Sequence, residues 1–128
     1  MIVKTLKQIK EEKREVKSDG WKSRRYLLKK DGMGFSFHET IIAEGAKLDM
    51  WYKNHLEAVY CVSGRGTIYS HDEDKKWLIE PGTMYALNKN DKHTLSSFSE
   101  IRMMCVFNPP CTGDEVHDKD GAYPLIEE

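Results

Sequence analysis

From Phe35 onward the chain is cut into short apolar, β-branched runs, and no long amphipathic helix interrupts them. The runs are Phe35 to Ile42, Lys47 to Tyr52, Ala58 to Val62, Thr67 to Ser70, Trp77 to Ile79, Met84 to Leu87, Thr94 to Phe98 and Ile101 to Phe107. Between them stand Gly45, Gly64-Arg65-Gly66, His71 to Lys75, Pro81-Gly82, Asn88 to Lys92 and Pro109-Pro110, residues that favour turns because of their backbone preferences. Strands this short and this closely spaced cannot be joined by helical crossovers. They favour an all-β barrel or a double-sheet jelly roll with little helix over a parallel sheet. A chain of 128 residues is expected to form a single domain, 1–128, able to bury roughly two-thirds of its unfolded surface. Before Phe35, Met1 to Leu6 alternates and could be a strand. Lys7 to Lys17 is a highly charged, solvated stretch with room for one helical turn, Ser18-Asp19-Gly20 is a turn, and Trp21 to Leu28 resumes the apolar pattern.

Charge narrows the function classes. The formal net charge is −1, so no bulk field attracts nucleic acid or an anionic membrane. No apolar stretch is long enough to span a bilayer, and charged residues follow Met1 to Leu6 where a secretory signal would carry its apolar region. The three cysteines, Cys61, Cys105 and Cys111, form no C-x-x-C pair; Cys61 and Cys105 lie within apolar runs and read as buried thiols. A small-molecule ligand and a cytoplasmic location are the default expectation.

One run carries a chemical anomaly. His55 and Glu57 open an apolar run and leave a strand on the same face as Val59 and Cys61. A carboxylate aimed into an interior is costly unless it is paired or meets a cation.

Glu57 followed by Gly64 resembles the second half of the first cupin motif, and Pro81-Gly82-Thr83-Met84-Tyr85 resembles the second motif. The histidines usual in both are missing: Met50 to Lys53 stand where a His-x-His is expected, and Tyr85 stands where the second motif has histidine. Longer blocks are more specific. Gly32-Met33-Gly34-Phe35-Ser36-Phe37-His38-Glu39-Thr40, Tyr52 to Val59, Pro81 to Leu87, and Cys105-Val106-Phe107-Asn108-Pro109-Pro110-Cys111-Thr112-Gly113 through Glu115-Val116-His117 resemble ectoine synthase, as do both chain ends. The resemblance implies a cytoplasmic, dimeric, iron-dependent lyase with a cupin-type double-stranded β-barrel. The implied reaction closes N-γ-acetyl-L-2,4-diaminobutyrate into the cyclic amidine ectoine with loss of water, making a compatible solute against osmotic stress. The alternatives are a metal-binding cupin of different chemistry and a non-catalytic cupin that binds another small polar ligand.

The same resemblance implies site residues. The metal ligands would be Glu57, Tyr85 and His93, a carboxylate, phenol and imidazole set suited to Fe(II), with zinc or manganese as substitutes. The Asn88 to Lys92 turn would fold the strand of His93 back beside that of Tyr85. By residue type alone, Tyr85 reads rather as a core tyrosine with a satisfied hydroxyl and His93 as a surface turn histidine; the resemblance reverses this. The implied substrate residues are Trp21, Arg25, Thr40, Tyr52, His55, Phe107, Glu115 and His117. Arg25 would pair with the carboxylate, Trp21 and Phe107 would wall the pocket, and Thr40 and Tyr52 would offer hydroxyls. Each also has a plainer reading: core for Trp21 and Phe107, surface for Arg25, a hydrogen-bonded strand end for His55. Glu115 and His117 are the candidates for proton transfer, with Tyr52 as an alternative; residues 112–128 would form a lid or tail. His71 reads as solvated. An N-terminal or C-terminal strand would pair across the dimer axis.

Overall fold

The computed structural model describes residues 1–112. One short helix, α1 (Leu6–Glu11), precedes ten strands: β1 (Glu15–Ser18), β2 (Trp21–Leu27), β3 (Ser36–Ile42), β4 (Lys47–Trp51), β5 (Leu56–Ser63), β6 (Gly66–Ser70), β7 (Lys75–Ile79), β8 (Met84–Leu87), β9 (Lys92–Ser97) and β10 (Ile101–Asn108). They form a six-stranded sheet in the order β1-β2-β3-β10-β5-β8 and a four-stranded sheet in the order β4-β9-β6-β7. All of the pairings are antiparallel. The all-β, double-sheet expectation therefore holds.

The expected strand over Met1 to Leu6 does not form. Thr5 and Gln8 make a reciprocal cap: the Gln8 amide donates to Thr5 Oγ1 at 3.2 Å, and the Thr5 amide donates to Gln8 Oε1 at 2.8 Å. That pairing satisfies two amides a helix start would otherwise leave open, so a helix begins at Leu6 and buries Ile9.

Strict alternation builds the interior. On β5, Glu57, Val59 and Cys61 are buried while Leu56, Ala58 and Tyr60 are exposed. On β10, Ile101, Met103, Cys105 and Phe107 are buried in the same way. These residues join Ile42, Met50, Ile68, Ile79 and Leu95 in one core between the two sheets. Each large apolar side chain removed from water there contributes about 1.5–3 kcal/mol. All three cysteines are buried and none forms a disulfide.

The relation of Tyr85 to His93 differs from the expectation. β8 pairs with β5, whereas β9 pairs with β4 and β6 in the opposite sheet. The chain between them crosses from one sheet to the other instead of turning back. Asn90 anchors that crossing: it adopts φ 51°, and its side-chain amide donates to the carbonyls of Tyr52 and His55, both at 3.1 Å. Two facing sheets thus present Tyr85 and His93 toward one another across the interior.

Candidate active site

Register places the site. Arg25 on β2 lies opposite His38 on β3, His38 opposite Cys105 on β10, Cys105 opposite Val59 on β5, and Val59 opposite Tyr85 on β8. One cross-strand row therefore runs over the concave face of the six-stranded sheet from a guanidinium to a phenol. Arg25 has no exposed surface, which rules out the surface reading. Thr40 and Glu57 flank the row. Thr40 Oγ1 lies 3.5 Å from Cys105 Sγ. Glu57 is 8% exposed, and its strand sits one step from that of Tyr85.

Trp21, Thr40, Tyr52, Glu57, Tyr85 and Phe107 line one narrow internal cavity of about 30 Å³, room for about one water. Tyr85 also lines a wider cleft of about 350 Å³ between β7 and β8, together with His93, Trp77, Met84 and Asn88. The phenol thus stands between two spaces. Phe107 organises the wall: its ring centroid is 5.0 Å from His38, 5.3 Å from Tyr52 and 5.9 Å from His55. Tyr52 is in turn 5.9 Å from His93. The hydroxyl of Tyr52 donates to Met50 Sδ at 3.4 Å.

Burial perturbs all three expected ligands. Burial pushes the Glu57 carboxyl up to about 8, although a hydrogen bond with the Cys105 thiol pulls the other way. Burial also raises the Tyr85 phenol well above its ordinary value, and the charge of Glu57 adds to this. Burial lowers the His93 imidazole, partly opposed by the Asp91 carbonyl. His93 Nδ1 donates to that carbonyl at 2.9 Å, which leaves Nε2 as the lone-pair nitrogen. That Nε2 is buried and has no hydrogen-bond partner. A carboxylate, a phenolate and an orphaned imidazole nitrogen in a desolvated interior are what a divalent cation requires, so the residues fit a metal. Among the described residues no three His, Cys, Asp or Glu side chains converge on a cation position. A three-donor set here therefore needs Tyr85.

The structure thus gathers Trp21, Arg25, Thr40, Tyr52, His55, Glu57, Tyr85, His93 and Phe107 into one interior. Glu115, His117 and the expected lid fall outside the described residues. His71 is exposed, as expected, but Nε2 shares a hydrogen bond with Thr94 Oγ1 at 2.8 Å. Two residues of the interior had no site role in the sequence reading. Cys105, read there only as a buried thiol, touches Glu57 and Thr40. His38 was passed over, although it alternates with Ser36 and Thr40 and so shares their inward face.

Two antiparallel sheets facing one another around a closed interior are the double-stranded β-barrel of the cupin fold. An RmlC-like cupin from Shewanella frigidimarina shares this fold with a TM-score of 0.63 at 14% identity, over 74% of this chain and 81% of its own. Much nearer matches exist. The model of the family described as ectoine synthase matches residues 1–127. The L-ectoine synthase of Desulfosudis oleivorans is 57% identical over the whole of both chains. A crystal structure of ectoine synthase from P. lautus superposes with a TM-score of 0.88 at 51% identity, covering 100% of this chain and 92% of that one. The chain belongs to the ectoine synthase family.

Proposed function

We propose that this enzyme closes N-γ-acetyl-L-2,4-diaminobutyrate into ectoine with loss of water, inside the barrel between Arg25 and Tyr85. Family membership along nearly the whole chain carries the reading; the enzyme is a hydro-lyase that makes ectoine. The geometry supports it in a specific way. The substrate has a zwitterionic amino-acid head that carries a carboxylate and a neutral acetamido tail, and the row across the sheet has the buried Arg25 at one end and Tyr85, one strand from Glu57, at the other.

Glu57, Tyr85 and His93 would hold Fe(II), with zinc or manganese as substitutes. Bound there, the ion supplies Lewis acidity toward the acetamido carbonyl. The remaining chemistry belongs to the chain. Arg25 binds the carboxylate, and Trp21, Tyr52 and Phe107 fold the flexible substrate so that its α-nitrogen approaches the acetamido carbon. The α-ammonium loses a proton, the free amine attacks, and the resulting carbinolamine loses hydroxide as water once protonated. Glu115 and His117 are the proposed proton carriers, with Tyr52 as the alternative. Thr40 and His55 offer further polar contacts. A dry interior favours the closed ring, because water is the expelled product.

The protein works in the cytoplasm on this reading, which its three buried cysteines, none of them in a disulfide, support. No helix among the described residues is long and apolar enough to cross a membrane. It acts as a homodimer. The last described strand, β10, lies inside its sheet and offers no edge. β8 does, and beside it Met84, Tyr60 and Leu56 are 61%, 50% and 43% exposed on one apolar outer face. A second copy is the occupant that a self-complementary edge and face of this kind favour.

The deciding experiment incubates Fe(II)-loaded protein with N-γ-acetyl-L-2,4-diaminobutyrate and follows ectoine by chromatography, beside Glu57→Ala and a metal-stripped sample. Iron-dependent ectoine and a Glu57→Ala variant that neither retains iron nor turns over are expected. Folded, iron-loaded protein that forms no ectoine would sink the reaction assignment. Full iron content in Glu57→Ala would sink the ligand assignment.

A further inference from the structure

The two spaces that meet at Tyr85 differ in what else they touch. The inner cavity of about 30 Å³ is lined by Glu57 but not by His93, and it has room for about one water. The cleft of about 350 Å³ between β7 and β8 is lined by both Tyr85 and His93. His93 Nε2 is buried without a hydrogen-bond partner, and the Nδ1 bond to the Asp91 carbonyl at 2.9 Å holds the ring. Two carboxylates line the same cleft. Asp91 is buried, two residues before His93, and its Oδ2 accepts from the Lys89 amide at 3.1 Å. Glu73 is exposed. Among the described residues no lysine or arginine lines the cleft. Lys89 and Lys92, close to Asp91 in sequence, line a separate groove beside Trp51, and the Lys92 ammonium lies 5.5 Å from the centre of that indole ring. A concave wall carrying one sign of charge concentrates counter-ions within it.

We infer that this cleft is the route by which the divalent cation reaches Tyr85 and His93, with Glu73 and Asp91 drawing it inward. The inference rests on the reading of Glu57, Tyr85 and His93 as ligands. It separates two paths: the substrate occupies the interior between Arg25 and Tyr85, whereas the cation arrives from the cleft side of the phenol. A hydrated ion does not pass through a cavity that holds about one water. The cleft has the space, and its wall carries a phenol and an imidazole nitrogen that can replace the ion's waters. Glu73 and Asp91 guide the ion by charge and are not ligands in the final site.

The test follows Co(II), a spectroscopic stand-in for Fe(II), as it enters metal-stripped full-length protein, by stopped-flow absorption at low and high salt. Asp91→Asn and Glu73→Gln each remove one charge and keep the shape of the side chain. Asp72→Asn removes the same charge from the groove beside Trp51 and is the control. Asp91→Asn should slow loading at least about threefold at low salt, Glu73→Gln less and the double variant most, with the differences shrinking as salt screens the field. Asp72→Asn should load at the wild-type rate. Once filled with Fe(II), Glu73→Gln should show wild-type kcat and KM. Wild-type loading rates in Asp91→Asn and Glu73→Gln would overturn the inference. Equal slowing in Asp72→Asn would do the same by marking a general effect of net charge. A raised KM in Glu73→Gln with unchanged loading would make the cleft the entrance for substrate and overturn it too. Exposed Glu73 carries the test if Asp91→Asn does not fold. Cation uptake that Glu57→Ala leaves intact would overturn the ligand reading and this inference with it.

Discussion

Gly64 closes the connection between β5, which carries Glu57, and β6, and the structure leaves no room there for a side chain. A Cβ at this position would lie 2.1 Å from the Glu100 carbonyl oxygen, 2.7 Å from Ile101 Cα and 2.9 Å from the Glu100 carbonyl carbon. All three are backbone atoms, so no rotamer change relieves the overlap. The Glu100 segment must instead retreat by about 1 Å to restore ordinary contact. That movement pulls on three neighbouring bonds: the Arg65 amide to Ser99 Oγ at 3.0 Å, and the Phe98 and Ser99 amides to the Arg65 carbonyl at 2.9 and 3.3 Å. Gly64 also has φ +91°, a region that costs an L-residue about 1–2 kcal/mol. Adding one or two weakened hydrogen bonds at about 1 kcal/mol each, Gly64→Ala should destabilise the fold by about 2–4 kcal/mol. Gly82 is the control, since it has φ +94° with nothing within 4 Å of its would-be Cβ. Gly82→Ala should therefore show only the conformational part, about 1–2 kcal/mol. Urea unfolding followed by tryptophan fluorescence, at one fixed protein concentration, gives both values. Equal losses in the two variants would refute the reasoning, because the backbone overlap would then cost nothing.

Three further outcomes are expected. Glu39 is a buried carboxylate whose burial would raise its pKa, but hydrogen bonds from Arg24 (2.8 Å) and Arg102 outweigh this and hold it below its ordinary value. A lowered folded-state pKa gives stability that is present above the unfolded value and lost as pH falls through the folded one. Glu39→Gln should thus cost about 2 kcal/mol at pH 7, with the gap to wild type closing toward pH 3 in thermal melts; a gap independent of pH would contradict the ion-pair account. Arg25→Met should raise KM for the substrate at least about tenfold while leaving iron content unchanged, and an unaltered KM would remove Arg25 from the carboxylate site. Met84→Asp combined with Tyr60→Asp should shift sedimentation velocity from dimer toward monomer, and an unshifted dimer would place the interface elsewhere.

The sequence by itself determined the architecture. Alternation along Glu57-Ala58-Val59-Tyr60-Cys61 fixes which side chains face inward, because a strand has a period of two, and frequent Gly, Pro and Asn breaks exclude helical crossovers. The same alternation put Glu57 and Thr40 inside, and the quoted blocks carried the family. The failures have local causes. The capping pair Thr5 and Gln8 converts an apparently alternating start into a helix entrance, a competition between local hydrogen bonds that apolar pattern does not register. Tertiary structure alone decided the rest. The register that sets Arg25 opposite His38, and His38 opposite Cys105, joins strands distant in sequence, and no local rule specifies that pairing. Only the crossing between sheets at Asn90 brings His93 to face Tyr85. Only the packed interior, by excluding water, turns an ordinary carboxyl, phenol and imidazole into groups whose burial calls for a partner.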